Sequence, residues 1–126
     1  MRKGVGADKR KGFGELFFDG SFDTPLTPEK AGKLAQPLEM VRWAPSAVNK
    51  QPWRVVVADN AAHFYLKHTK GFVNDAVGDV QKIDMGIALC HFALTAQELG
   101  QKLQFSLSDP GLPTPPDTEY IASYVL

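Results

Sequence analysis

Hydrophobic and polar positions alternate with two clear periods along this chain. In Thr24-Pro-Leu-Thr-Pro-Glu29, Thr27 can N-cap a helix that opens with Pro28. Ala31, Leu34, Leu38 and Val41 then recur at three- and four-residue spacing on one face, while Pro37 predicts a kink or a division into two short helices. Trp53 to Ala58 is rich in β-branched residues and predicts a buried strand. A turn at Asp59-Asn60 joins it to a second strand over His63 to Lys67, making a hairpin. Residues 71–78 read as irregular, with a helix beginning near Asn74 or Asp75. The longest periodic stretch is 79–99. Val80, Ile83, Ile87, Cys90, Leu94 and Gln97 lie along one side of it, with Met85, Leu89, Phe92, Ala96 and Leu99 along others. A helix apolar nearly all round belongs at the centre of a domain or at a subunit interface, and Gly100 supplies its left-handed end.

The flanks are less regular. Asp8 can cap a short helix carrying Phe13, Leu16 and Phe17, weakened by Gly12 and Gly14, and Asp19-Gly20 signals a turn. Beyond Gly100, residues 102–107 predict a strand, 110–116 a proline-rich loop, and 119–126 an edge strand or an arm. Residues 1–8 are Gly-rich and basic and are expected to be a mobile N-terminus, leaving 9–126 as one domain.

Composition narrows the partners. At 126 residues the chain can bury a core of its own, and its 14 basic and 14 acidic residues balance, so neither nucleic acid nor an anionic membrane would attract it in bulk. The single cysteine, Cys90, cannot form a disulfide within the chain. It reads as a buried, inert thiol suited to a reducing cytoplasm. The opening residues lack the apolar core of a signal peptide, and no apolar run is long enough to span a bilayer.

Candidate chemistry concentrates in Ala44-Pro-Ser-Ala-Val-Asn-Lys-Gln-Pro-Trp-Arg54. Pro45 and Pro52 stiffen this loop, and Ser46, Asn49, Lys50 and Gln51 offer a hydroxyl, two carboxamides and an ammonium just before a strand. Carboxamides both donate and accept, so such a set suits a planar heterocycle bearing ring N–H and C=O groups. Other patterns carry less. Gly4-Val-Gly6 lacks the strand and spacing of a dinucleotide fingerprint. His63, His68 and His91 lack ligand partners at metal spacing, and His91 reads as a satisfied core or interface residue. Asp84 reads as paired with a cation or a backbone N–H. Trp43, Trp53, Phe64 and Tyr65 read as core.

The loop resembles the active-site loop of the FMN-dependent nitroreductase family, an Ala-Pro-Ser-x-x-Asn-x-Gln-Pro-Trp pattern between a helix and a strand. Asp84-Met-Gly-Ile-Ala-Leu-Cys-His-Phe-Ala-Leu-Thr-Ala-Gln-Glu-Leu-Gly100 resembles that family's long central helix. More narrowly, Leu38-Glu-Met-Val-Arg42 and His63-Phe-Tyr-Leu66 resemble the second half of a variant with two nitroreductase-like halves in one chain. The resemblance implies an α+β fold with a small antiparallel sheet surrounded by helices, as a half domain or a dimer. It also implies bound FMN, reduced by NAD(P)H and reoxidised by a nitroaromatic, quinone or similar acceptor, with no catalytic side chain and no metal. Pro45, Ser46, Ala47 and Asn49 would then reach a partner's flavin across the dimer, with Gln51 beside them. Arg10 and Lys11 stand where the family grips the flavin phosphate. Gly12 and Gly14 replace a serine and a cation of that motif, and residues 109–126 contain no Lys or Arg. Those departures keep a second reading open: a non-catalytic half that supplies a covering loop and dimer surface to a partner.

Overall fold

The computed structural model describes residues 10–45, 51–58, 60–68, 73–74 and 78–125. The elements run α1 (Phe13–Leu16), β1 (Phe17–Asp19), α2 (Pro28–Ala31), a 3-10 turn (Gly32–Leu34), α3 (Ala35–Arg42), β2 (Trp53–Ala58), β3 (Ala61–Lys67), β4 (Val73–Asn74), β5 (Gly78–Asp79), α4 (Val80–Glu98), β6 (Gln104–Ser106) and β7 (Thr118–Val125). Five strands form one sheet in the order β1-β2-β3-β7-β6, and β4 and β5 form a separate two-stranded ribbon. All pairings in the large sheet are antiparallel except β1 with β2, which is parallel.

Local chemistry explains the helical layer. Thr27 Oγ1 accepts from the Lys30 amide, 3.3 Å away, and Pro28 opens α2 as expected. The break comes at Gly32, whose φ of +55° is open to a residue without a β-carbon. Pro37 causes no kink, because it sits in the first turn of α3, where its missing N–H has no helical partner to lose. Ala31, Leu34, Leu38 and Val41 are all buried on the face that meets α4 and the sheet.

The core lies between that layer and one side of the sheet. Trp53 and Val55 of β2 and Ala62, Phe64 and Leu66 of β3 pack with Met85, Ala88 and Phe92 of α4. The opposite side carries an aromatic row. Phe18 lies 5.1 Å from Phe22, Phe22 lies 4.9 Å from Tyr65, and Tyr65 lies 5.6 Å from Tyr120, measured between ring centroids. A bulge in β7 lets Phe64 face Ala122 while Tyr65 faces Tyr120, with Ile121 as the extra residue. Beside it, Ser123 Oγ lies 2.6 Å from His63 Nδ1 and 2.7 Å from the Tyr120 hydroxyl, a buried polar group in an otherwise apolar setting. The outer edge of β1 is covered by residues 24–26, through hydrogen bonds from Asp19 to Thr24 and from Leu26 to Phe17.

Several expectations need correction. Phe17 begins a strand rather than continuing a helix. Val73–Asn74 pairs with Gly78–Asp79, so the long helix starts only at Val80. The last strand, β7, is interior to the sheet, flanked by β3 and β6, not an edge. Cys90 is exposed, and so is Trp43, at 47%. On α4, Gln81, Asp84, Met85, Ala88, Phe92 and Ala96 face inward, whereas Ile83 (64% exposed), Cys90 and Leu94 (55%) face outward. The helix is therefore buried on one face within this chain and carries an uncovered apolar stripe on the other. Residues 1–8, expected to be mobile, lie outside the described residues.

Candidate functional site

The loop of interest leaves α3 through Trp43, Ala44 and Pro45 and re-enters the sheet through Gln51, Pro52 and Trp53. Ser46, Ala47, Asn49 and Lys50 lie outside the described residues. Both stems are described, and both meet the N-terminal segment that carries Arg10 and Lys11.

At the exit stem, Gln51 adopts φ +50° and is only 4% exposed. Its side-chain Oε1 accepts from the Lys11 amide at 2.8 Å, forty positions away. The Arg54 guanidinium donates from Nη1 to the carbonyls of Gln51 (2.8 Å) and Trp53 (2.7 Å). Burial pushes the Arg54 pKa down, partly opposed by the charge of Glu15. Arg54 thus stiffens the stem with charge-assisted bonds to main-chain oxygens.

At the entry stem, Arg42 donates to both carboxylate oxygens of Glu39, each at 2.9 Å, and also to the Lys11 carbonyl at 3.1 Å. The Trp43 indole N–H donates to Glu39 as well, at 2.9 Å. The Arg42 hydrogen bond, with Trp43's in support, holds the Glu39 carboxyl below its ordinary range, and the same pairing raises Arg42. Two guanidiniums lie over the indole, Arg42 at 4.8 Å and Arg10 at 5.3 Å from its ring centroid, and Arg10 reaches the Trp43 carbonyl at 3.5 Å. Trp43 is therefore a half-exposed platform for cations, not core. Trp53 is fully buried, as expected for core.

The structure thus brings Arg10, Lys11, Pro45 and Gln51 to one mouth. It adds Arg42 and Arg54, which the sequence reading did not single out as site residues. Arg42 is one turn before the loop and forms an i,i+3 pair with Glu39, a signal that reads on its own as an ordinary surface ion pair. Gly12 contributes no side chain here. Its amide donates to Glu15 Oε1 at 2.8 Å, closing the start of α1. Arg42 is thus paired with Glu39, while the Arg10 guanidinium shares the Trp43 ring with it.

Other features lie elsewhere. A cleft of about 310 Å3 is lined by Ser21, Phe22, Asp23, Pro113, Thr114 and Pro115 and shares no residue with the mouth. His91 Nδ1 lies 2.9 Å from the Ile87 carbonyl, one turn back on α4, and Asp84 is buried. Among the described residues no group of three or more His, Cys, Asp or Glu side chains could hold a metal ion, and no helix is long and apolar enough to cross a membrane.

Comparison with solved structures places this α+β arrangement in the nitroreductase fold. The crystal structure of a putative nitroreductase from Thermotoga maritima matches with a TM-score of 0.59 at 22% identity, over 94% of this chain and 42% of that one. The family model described as "Putative TM nitroreductase" matches residues 7–96, and the chain belongs to that family. It spans well under half the length of the solved relative it matches. None of the curated proteins matches it.

Proposed function

We propose that this chain forms half of an FMN-dependent oxidoreductase of nitroreductase type, taking electrons from NAD(P)H and passing them to nitroaromatic, quinone or similar acceptors. The observation that carries this reading is the convergence of the Arg10–Lys11 segment on both stems of the 45–51 loop. FMN, when bound, supplies the redox chemistry, accepting hydride at its ring system and releasing electrons to the acceptor. The protein's part is binding and orientation. Arg10 and Lys11 would pair with the phosphate, and Pro45, Ser46, Ala47 and Asn49 would lie against the flavin ring, in cis or on a partner's flavin. Gln51, already buried, would serve the site by holding the loop's exit.

The outward stripe of α4 would be covered by a second copy or by a separate nitroreductase-like half, in keeping with a match to only 42% of the related chain. The glycines at 12 and 14 and the absence of Lys and Arg from residues 109–126 favour a second reading. On that reading this half is non-catalytic by itself and contributes the loop and the helical face to a partner that grips the phosphate. Neither reading involves nucleic acid, and the free thiol of Cys90 suits a reducing cytoplasm.

The test is the visible spectrum of the purified chain after FMN is added and excess removed, followed by NAD(P)H oxidation with and without a quinone. A retained flavin that turns over supports the enzyme; a retained flavin without turnover, or a colourless protein, supports the non-catalytic half.

A further inference from the structure

The two stems of the loop are held through a third segment. The Lys11 main chain presents its N–H to Gln51 Oε1 on the exit stem and its carbonyl to Arg42 Nη1 beside the entry stem. One residue therefore bridges both ends of the loop, through the two peptide units that flank its α-carbon. Gln51 is kept at a φ of +50°, a left-handed conformation disfavoured for a residue with a β-carbon. What holds it there is visible: its buried side chain is anchored on Lys11, and its carbonyl is bonded by Arg54. On the other stem, Arg42 keeps one Nη1 contact for Lys11 while Nε and Nη2 are spent on Glu39, and its guanidinium carbon lies 4.8 Å from the Trp43 ring centroid.

We infer that Arg42 and Gln51 are positioning residues that clasp the Lys11 main chain between the two stems, so that the Arg10–Lys11 segment and both stems are held as one unit. Neither needs to touch the ligand. The clasp implies that an anion drawn to Arg10 and Lys11 also steadies both stems, and the reverse. This deepens the flavin reading and rests on it for the ligand's identity, whereas the clasp itself is a property of the protein alone.

The experiment pairs amide hydrogen exchange by NMR with FMN titration on the full chain and on Gln51→Ala, Gln51→Glu, Arg42→Met and Arg42→Lys. Loss of one hydrogen bond should speed exchange of the Lys11 amide about tenfold in Gln51→Ala. Gln51→Glu, which keeps an oxygen acceptor, should restore part of the protection, while the Val55 and Phe64 amides of β2 and β3 stay unchanged. Arg42→Met should weaken FMN binding about tenfold and alter the bound flavin's visible band, with Arg42→Lys in between. Unchanged Lys11 exchange in Gln51→Ala would overturn the clasp. So would wild-type FMN affinity in both Arg42→Met and Gln51→Ala. If the unmodified chain binds no FMN, the flavin reading falls, and the Lys11 exchange rates alone decide the clasp.

Discussion

Phe64 of β3 meets Phe92 of α4 edge to face, with ring centroids 5.1 Å apart and planes at 78°, and Tyr124 of β7 completes a triangle of rings, 5.5 Å from Phe92 and 6.2 Å from Phe64. This contact fastens the long helix to the centre of the sheet, with both phenylalanines fully buried. Phe92→Ala should therefore cost about 3–5 kcal/mol, through lost burial and a cavity that β3 and β7 cannot fill. Urea unfolding of the variant measures it; a loss below about 1 kcal/mol would mean the helix packs elsewhere.

Arg54→Met should lower stability by about 1.5–3 kcal/mol, because two carbonyls on the exit stem lose a charged donor. The same denaturation measurement reads it, and exchange of the Lys11 amide should rise with it. Unchanged stability would show that the stem is held without Arg54.

Tyr65 has a fully buried ring and a hydroxyl that finds no hydrogen-bond partner among the described residues, and its pKa is pushed up to about 12 by burial first, then by the charges of Asp109 and Tyr120. Tyr65→Phe should accordingly be neutral or stabilising at neutral pH. A phenol whose folded pKa exceeds its usual 10.0 contributes stability in full below pH 10 and loses it as pH rises toward 12. The unfolding midpoint of the natural chain should thus fall more steeply over that interval than that of Tyr65→Phe, and parallel curves would contradict the assignment.

Glu39 has the opposite sign. Its folded pKa is lowered, chiefly by the Arg42 hydrogen bond, so its contribution is present above its ordinary value of 4.5 and disappears as pH falls through the lowered one. The pair is partly exposed, so the effect is modest. Glu39→Gln should flatten the acid side of the stability profile and loosen Arg42 from Trp43, which the indole fluorescence of Trp43 can report.

Leu94→Asp should leave the fold intact, since the side chain is outward on α4. If a second copy covers that stripe, the substitution should convert the assembly to monomer, as light scattering would show. A substitution that unfolds the chain instead would place Leu94 in its own core, contrary to the structure.

Much of this was legible in the residues themselves. Period and caps placed the Thr27–Pro28 helix start, the β2–β3 hairpin and the end of α4 at Gly100, because those features depend on backbone chemistry within a few residues. The Pro-Ser-x-x-Asn-x-Gln-Pro-Trp loop likewise indicated the family without coordinates. Other features depend on contacts distant in sequence. That Phe17 is a strand follows from its pairing with Val55, and that β7 is interior follows from β6 folding back beside it. Cys90 and Leu94 look like core by composition, yet only the angle at which α4 docks on Phe64 decides that Met85, Ala88 and Phe92 take the inside. Arg42 and Gln51 meet at the main chain of one residue, Lys11, only because α3, the exit stem and the N-terminal segment converge there. Local sequence sets which backbone states are cheap; burial and long-range hydrogen bonding decide which side chains end up together, and the mouth of this site belongs to the second kind.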